Sequence, residues 1–209
     1  VLYIRRSGGS ISKIAAMKNA VGNFIDQVTA NATGDPATNE DDVTHRIGIV
    51  KFSGNESDQI GNDTYRSDGN TYNYSQAVQD LTSVTGNVQS LKNAVNELAA
   101  AGSTRTDFGL NQAQRVLDGD RQHGLGGARE EAKQVVVVFT DGEPSTFSNW
   151  SGGVAANAVN LAKDLKDDKV TVYTIGMFED ADPSDTDGRF NKYMNGVSSN
   201  YPNAEVTNW

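Results

Sequence analysis

The 209-residue chain is 36% hydrophobic, 8% aromatic and 22% charged, which suits one domain large enough to bury a core and argues against intrinsic disorder. Eighteen Lys and Arg stand against 27 Asp and Glu, a formal charge of −9, the wrong sign for neutralising nucleic-acid phosphates or anionic lipid. Cysteine is absent, which excludes disulfides, a thiolate zinc site and a cysteine nucleophile, so a metal would need oxygen ligands or the two histidines. The longest apolar run, around Val135 to Phe139, is far short of the roughly 20 residues that span a bilayer, so no membrane insertion is expected. No signal-peptide pattern is expected within the sequence given, and a signal or anchor would lie outside it. Because the sequence opens inside an apolar run and stops at Trp209, it reads as a domain excised from a larger protein.

Val1 to Ile4 reads as a strand, broken by Ser7-Gly8-Gly9-Ser10. From Ile14, apolar residues at Met17, Val21, Ile25 and Val28 recur at three and four residues, which predicts a helix with Ser10 or Ser12 capping its first turn. The polar segment Asn31 to Asp42 is a loop leading to a mostly buried strand over His45 to Phe52. Ser53 to Ser75 is too polar for core and is expected to be a surface insertion carrying at most a hairpin. Gln76 to Thr82 reads as an edge strand.

Val88, Leu91, Val95 and Leu98 then mark a helix with its stop at Gly102. Asp107 is expected to cap a further helix with the stripe Leu110, Ala113, Val116 and Leu117, followed by a glycine-rich loop, Gly119 to Gly127. The uninterrupted run Val135 to Phe139 predicts a strand covered on both faces, as in a parallel sheet. A helix over Val154 to Leu165, a strand over Val170 to Met177 and a helical stripe from Phe190 to Val197 complete an α/β pattern.

In an open parallel sheet, ligands bind beyond the carboxyl ends of the strands. Three polar segments fall at such positions: Arg5 to Ser10, Gly102 to Asp107, and Thr140-Asp141-Gly142-Glu143. Hydroxyls and carboxylates converging there suit a hard cation such as Mg²⁺, which takes few protein oxygens and keeps water or a partner's carboxylate in its octahedron.

Together, the apolar strand entering Ser7-Gly8, the segment Ser12-Lys13-Ile14-Ala15-Ala16-Met17-Lys18, Gly102-Ser103-Thr104-Arg105-Thr106-Asp107-Phe108-Gly109-Leu110, and the valine strand entering Thr140-Asp141-Gly142-Glu143-Pro144 resemble a von Willebrand factor type A domain over nearly the whole chain. The resemblance implies a doubly wound, mostly parallel sheet with one antiparallel edge strand, helices on both faces and a metal-ion-dependent adhesion site at the top. That site is made of an Asp-x-Ser-x-Ser after the first strand, a Thr from Gly-x-Thr-x-Thr and an Asp closing the central strand. Carried across, the Thr is Thr104 and the Asp is Asp141, with Ser7 and Ser10 as the serine candidates.

The first motif departs from the family pattern. If the strand ends at Ile4, its three positions hold Arg5, Ser7 and Gly9; one residue later they hold Arg6, Gly8 and Ser10. Neither register supplies the aspartate. Either an arginine beside Asp141 replaces the metal, or residues 5 to 10 are altered relative to the natural chain. Losing a carboxylate and gaining an arginine changes the local charge by about two units, which disfavours a divalent cation at close range.

Other motifs carry less. Asp180, Asp182, Ser184, Asp185 and Asp187 lack the glycine and glutamate of a calcium loop and read as a solvated loop. His45 and His123 lack paired spacing for zinc. No nucleophile elbow or phosphate-binding loop is present, and Glu143 is only a weak general-base candidate for a hydrolase. Taken singly, Ser7, Ser10, Thr104 and Asp141 are ordinary cap and turn residues.

Likeness to Gram-positive surface and pilus-tip adhesins implies a non-enzymatic, extracellular module. It would sit among other domains of a cell-wall-anchored parent and bind a carboxylate-bearing protein or matrix ligand through Mg²⁺, Mn²⁺ or Ca²⁺. Tyr65, Tyr72 and Tyr74 of the insertion are candidate ligand contacts, since tyrosines give contact area at low entropy cost. An intracellular or structural assembly module without metal-dependent binding is the alternative. The family's last strand and helix are expected to lie beyond Trp209.

Overall fold

The structure, a computed structural model, describes residues 12–32, 45–55, 57–60, 62–67, 69–147, 149–177, 182, 184, 185 and 187–201. The expected first strand, Arg5, Arg6, Ser7, Ser10 and Asp180 lie outside the described residues.

Helix α1 (Lys13–Ala30) begins where the Ser12 side chain accepts a hydrogen bond from the Ala15 N–H. Of its apolar stripe, Ile25 is fully buried, and Val21 and Val28 pack around it. Strand β1 (Arg46–Lys51) pairs antiparallel with β4 (Gln76–Ser83). Between them, the polar insertion folds a hairpin of β2 (Thr64–Ser67) and β3 (Asn70–Asn73). Helix α2 (Val88–Asn96) adds Leu91 and Val95 to the core formed with α1, β1 and β4.

The α2 helix ends at Asn96 rather than Gly102, because Glu97 closes it through bonds to Asn93 and Val95. Gly102 instead serves the loop that follows. Its φ is +68°, and a Cβ there would come within 2.9 Å of the Tyr74 ring and 3.0 Å of the Gly54 nitrogen, so only glycine allows this approach.

Helix α3 (Thr106–Asp118) is the central one, contacting β1, β4 and the later helix α4 (Gly152–Asp167). Successive β1 residues point to opposite faces. Ile47 and Ile49 belong to the α1/α2 core, while a Cβ on Gly48 would lie 3.0 Å from Val116 of α3. Helices therefore cover both faces of the β1–β4 pair. Strand β5 (Val135–Thr140) pairs in parallel with β8 (Thr171–Gly176), as the valine run and the intervening helix require. Among the described residues the two strand pairs share no ladder.

Val138 and Val172 pack with α4 and α5 (Arg189–Val197) in a second core, whose largest fully buried side chain is Tyr193. Coverage of β5 is less complete than its sequence suggests, since Val135 at the strand's start is 46% exposed.

The glycine-rich loop after α3 is held by charge. Asp120 Oδ2 accepts from Arg115 Nη2 at 2.5 Å and Nε at 3.0 Å and lies 2.8 Å from His123 Nδ1. The Arg115 hydrogen bond, aided by His123, holds the Asp120 carboxyl down at about 2. A depressed folded value means this contribution to stability is complete above the ordinary carboxylate range and is lost as pH falls through about 2. An NMR titration should place the Asp120 midpoint there, and Arg115→Met should return it toward the ordinary range.

Candidate functional site

Three chain segments meet where β1 and β5 end. After β1, Gly54 forms an isolated bridge with Ser103, whose N–H donates to the Gly54 carbonyl at 2.9 Å. The Ser103 hydroxyl lies 3.3 Å from Asn55 Oδ1. After β5, Thr140 Oγ1 donates to the Gly142 carbonyl at 3.0 Å and accepts from the Gly142 N–H at 3.3 Å, folding Asp141-Gly142 into a tight turn. That turn runs into a second hairpin, β6 (Ser145–Thr146) and β7 (Asn149–Trp150).

Ser145 clamps this hairpin to the α3 approach loop. Its N–H donates to the Thr104 carbonyl at 3.0 Å, while its hydroxyl accepts from the Thr104 N–H at 2.9 Å. The clamp brings Thr104 against the turn that carries Asp141: a Cβ on Gly142 would stand 2.5 Å from Thr104 Oγ1. Thr104 thus lies against the Asp141-Gly142 turn at the end of β5, with Asp141 37 residues further along the sequence. Asp141 is exposed and Thr104 half-buried. Gly142→Ala should turn the Thr104 hydroxyl out of this notch at a cost of about 1 kcal/mol. A changed Thr104 side-chain coupling by NMR, with a melting temperature lowered by only a few degrees, would show it.

Behind Thr104, the start of α3 is built differently from its sequence reading. Arg105, not Asp107, occupies the N-cap position, and Asp107 lies in the first turn. Asp107 carries a partner with it: Arg105 Nε donates to Oδ1 at 2.9 Å and Nη2 to Oδ2 at 2.8 Å. Both side chains are almost completely buried. The remaining Arg105 nitrogen donates to the Asn55 carbonyl at 2.7 Å, and the guanidinium lies 3.5 Å over the Phe108 ring. This fork fastens the β1 exit to the α3 start, so the Thr104 loop is held from both sides. An Arg and Asp two residues apart at a helix start were the signal for it, although that spacing alone does not bring two side chains together.

On the other side, Glu143 accepts from Arg189 Nη2 at 2.6 Å, and the Arg189 guanidinium lies 4.2 Å from the Trp150 ring centre. Trp150 meets Tyr193 edge to face at 6.4 Å. Glu143 is therefore tied to α5. Of the insertion tyrosines, Tyr65 and Tyr74 pack against each other at a tilt of 38° with centroids 4.9 Å apart, and Tyr74 also closes against Gly102. The insertion thus reaches the Thr104 loop, with part of two rings used internally. Tyr72 is described only by its backbone pairing with Tyr65.

Asp182 and Asp185 use their carboxylates on backbone N–H groups of Ser184, Asp187 and Gly188. The Ser184 hydrogen bonds lower the Asp182 carboxyl below its ordinary value. These described members of the acidic segment hold local turns.

A scan against family models matches residues 6–201 to the von Willebrand factor type A domain. The chain belongs to that family. No curated protein matches the sequence. Among solved structures, the type A domain is similar to proximal thread matrix protein 1 from the mussel byssus. The TM-score is 0.52 at 16% identity, covering 89% of this chain and 35% of that one. It is also similar to the open conformation of the pilus adhesin SpaC from Lactobacillus rhamnosus GG, with TM-score 0.55 at 19% identity, covering 92% of this chain and 25% of that one. At such identities the likeness shows the doubly wound α/β fold, and this chain spans about a third or less of either relative.

The described residues of this type A domain hold no group of three or more His, Asp or Glu able to enclose a metal ion, and no helix long and apolar enough to cross a membrane. The Thr104 hydroxyl and Asp141 carboxylate are hard oxygen donors. They fit a cation that takes few protein oxygens and leaves positions for water and a partner.

Proposed function

We propose that this type A domain is a non-enzymatic, cell-surface adhesion module that binds a carboxylate of an extracellular protein or matrix ligand through a divalent cation. Thr104 and Asp141 would hold the Mg²⁺, Mn²⁺ or Ca²⁺, with Ser7 and Ser10 as further donors. The cation supplies the positive charge that an acidic ligand requires at a surface where Asp141 would otherwise repel it. The observation that carries this reading is the contact of the Thr104 hydroxyl with the Asp141-Gly142 turn, maintained by paired hydrogen bonds to Ser145. The two residues that the family motif selects lie on separate loops, and it is the meeting of those loops that supports the reading. Family membership and the pilus-adhesin likeness support an adhesive, extracellular role within a longer protein.

The test is binding to a surface bearing glutamate-containing peptides, measured in Mg²⁺, in chelator and with Asp141→Ala. The proposal expects binding in Mg²⁺ that chelator reverses and the variant lacks. Equal binding in all three would contradict it.

A further inference from the structure

A cavity of about 370 Å³ opens between the insertion, the start of α3 and the α4 helix, and neither Thr104 nor Asp141 lines it. Its volume is that of a small-ligand site. The α3 side is made by the buried Arg105–Asp107 pair and by Phe108, a residue only 7% exposed that belongs to neither core. Ile60 closes the insertion side. It is the one aliphatic residue between Ser53 and Ser75, and it lines this cavity without joining a core. Helix α4 contributes Leu161 together with Asn157, Asn160 and Asp164, which at spacings of three and four residues share one face of the helix. The polar side chains of α4 divide cleanly. Lys163 is paired with Asp167, and Lys166 donates to the carbonyls of Gly196, Ser198 and Tyr201. Asn157, Asn160 and Asp164 are exposed, and among the described residues their side chains have no hydrogen-bond or ion-pair partner. The three unengaged polar groups of the helix are therefore the three that line the cavity.

We propose that this cavity is a second binding site, independent of the cation, that takes a neutral saccharide unit. The donor and acceptor inventory selects that chemistry. Two carboxamides offer N–H donors as well as carbonyl acceptors, and the Asp164 carboxylate adds acceptors alone. An anionic ligand is disfavoured by Asp164, and the one cation of the lining, Arg105, already has both arms of its fork on Asp107. A lysine or arginine side chain brings donors only and would leave the amide N–H groups unmet. Sugar hydroxyls both donate and accept, so they satisfy amides and carboxylate together. The C–H face of a pyranose ring suits the apolar surface of Ile60 and Leu161, in the mixed pattern of a mostly apolar wall with a few polar groups that fix orientation.

The probes are free glucose, galactose, mannose, fucose and N-acetylglucosamine, titrated into the isotope-labelled protein and followed by NMR, with lysine amide as the basic comparison. Chelator is present throughout, which keeps the cation site out of the readout. At least one sugar should bind saturably at millimolar concentration and shift the amides of Arg105 to Phe108 and of Asn157 to Asp164. Asn160→Ala should weaken that sugar about tenfold, as loss of a carboxamide's hydrogen bonds requires. Its melting temperature should be no lower than wild type, because alanine is the better helix former at an exposed position, and this separates recognition from folding. No saturable shift of these amides by any of the sugars, equal affinity in Asn160→Ala, or binding of lysine amide in place of the sugars overturns the inference. Each of those results leaves the carboxylate reading standing.

Discussion

Asp107→Ala is expected to destabilise the domain by about 3–5 kcal/mol, because it leaves the Arg105 guanidinium charged and almost completely buried. Asp107 accepts both arms of the guanidinium fork, and no other carboxylate is hydrogen-bonded to Arg105 among the described residues. What remains is the Asn55 carbonyl and the Phe108 ring, neither of which replaces an anion. For a domain of this size, a loss of about 4 kcal/mol lowers the melting temperature by roughly 8–16 °C. Removing both charges, as Arg105→Met with Asp107→Leu, should recover most of the loss, because the cost lies in the orphaned charge rather than in the absent pair. Thermal or urea unfolding of Arg105→Met, Asp107→Leu and the double variant forms the cycle that checks this.

Tyr193→Ala should have a comparable effect from a different source. Tyr193 is 0% exposed and packs in the core shared by β5, β8, α4 and α5, against Trp150 and Phe190. Deleting a buried aromatic of this size leaves a cavity and costs about 3–5 kcal/mol. Burial pushes the phenol above its ordinary value, with the Thr106 hydroxyl beside it opposing that shift. Tyr193→Phe keeps the ring, loses the Thr106 partner and should cost only about 1 kcal/mol. Denaturant unfolding distinguishes them: a large loss in Tyr193→Phe would mean that the hydroxyl, not ring volume, dominates.

The fold was legible because its signals are local. The valine run, the helical stripes of α2 and α4 and the polarity of the insertion each follow from a period or composition that tertiary context did not override. Boundaries were less legible. Gly102 looked like a helix stop because glycine at the end of an apolar stripe usually is one, whereas here its missing Cβ admits Tyr74 and Gly54. Asp107 looked like a cap because Asp before an apolar run usually is one, yet Arg105 claims both its oxygens.

The candidate site was half legible. Motif order selected Thr104 and Asp141, and the structure sets the Thr104 hydroxyl against the Asp141-Gly142 turn. The Ser145 clamp and the Arg189–Glu143 tie had no sequence signal, because each depends on where a loop lands rather than on its composition. The Tyr65–Tyr74 contact is of the same kind.

The central claim is that Thr104 and Asp141 form part of a cation site despite Arg5 and Arg6. It is tested most directly by calorimetric titration of Mg²⁺ and Mn²⁺ into chelator-treated protein, with Asp141→Ala alongside. Saturable binding to the wild type that the variant lacks is the result this account predicts. No binding to the wild type, or identical binding to both proteins, would contradict it.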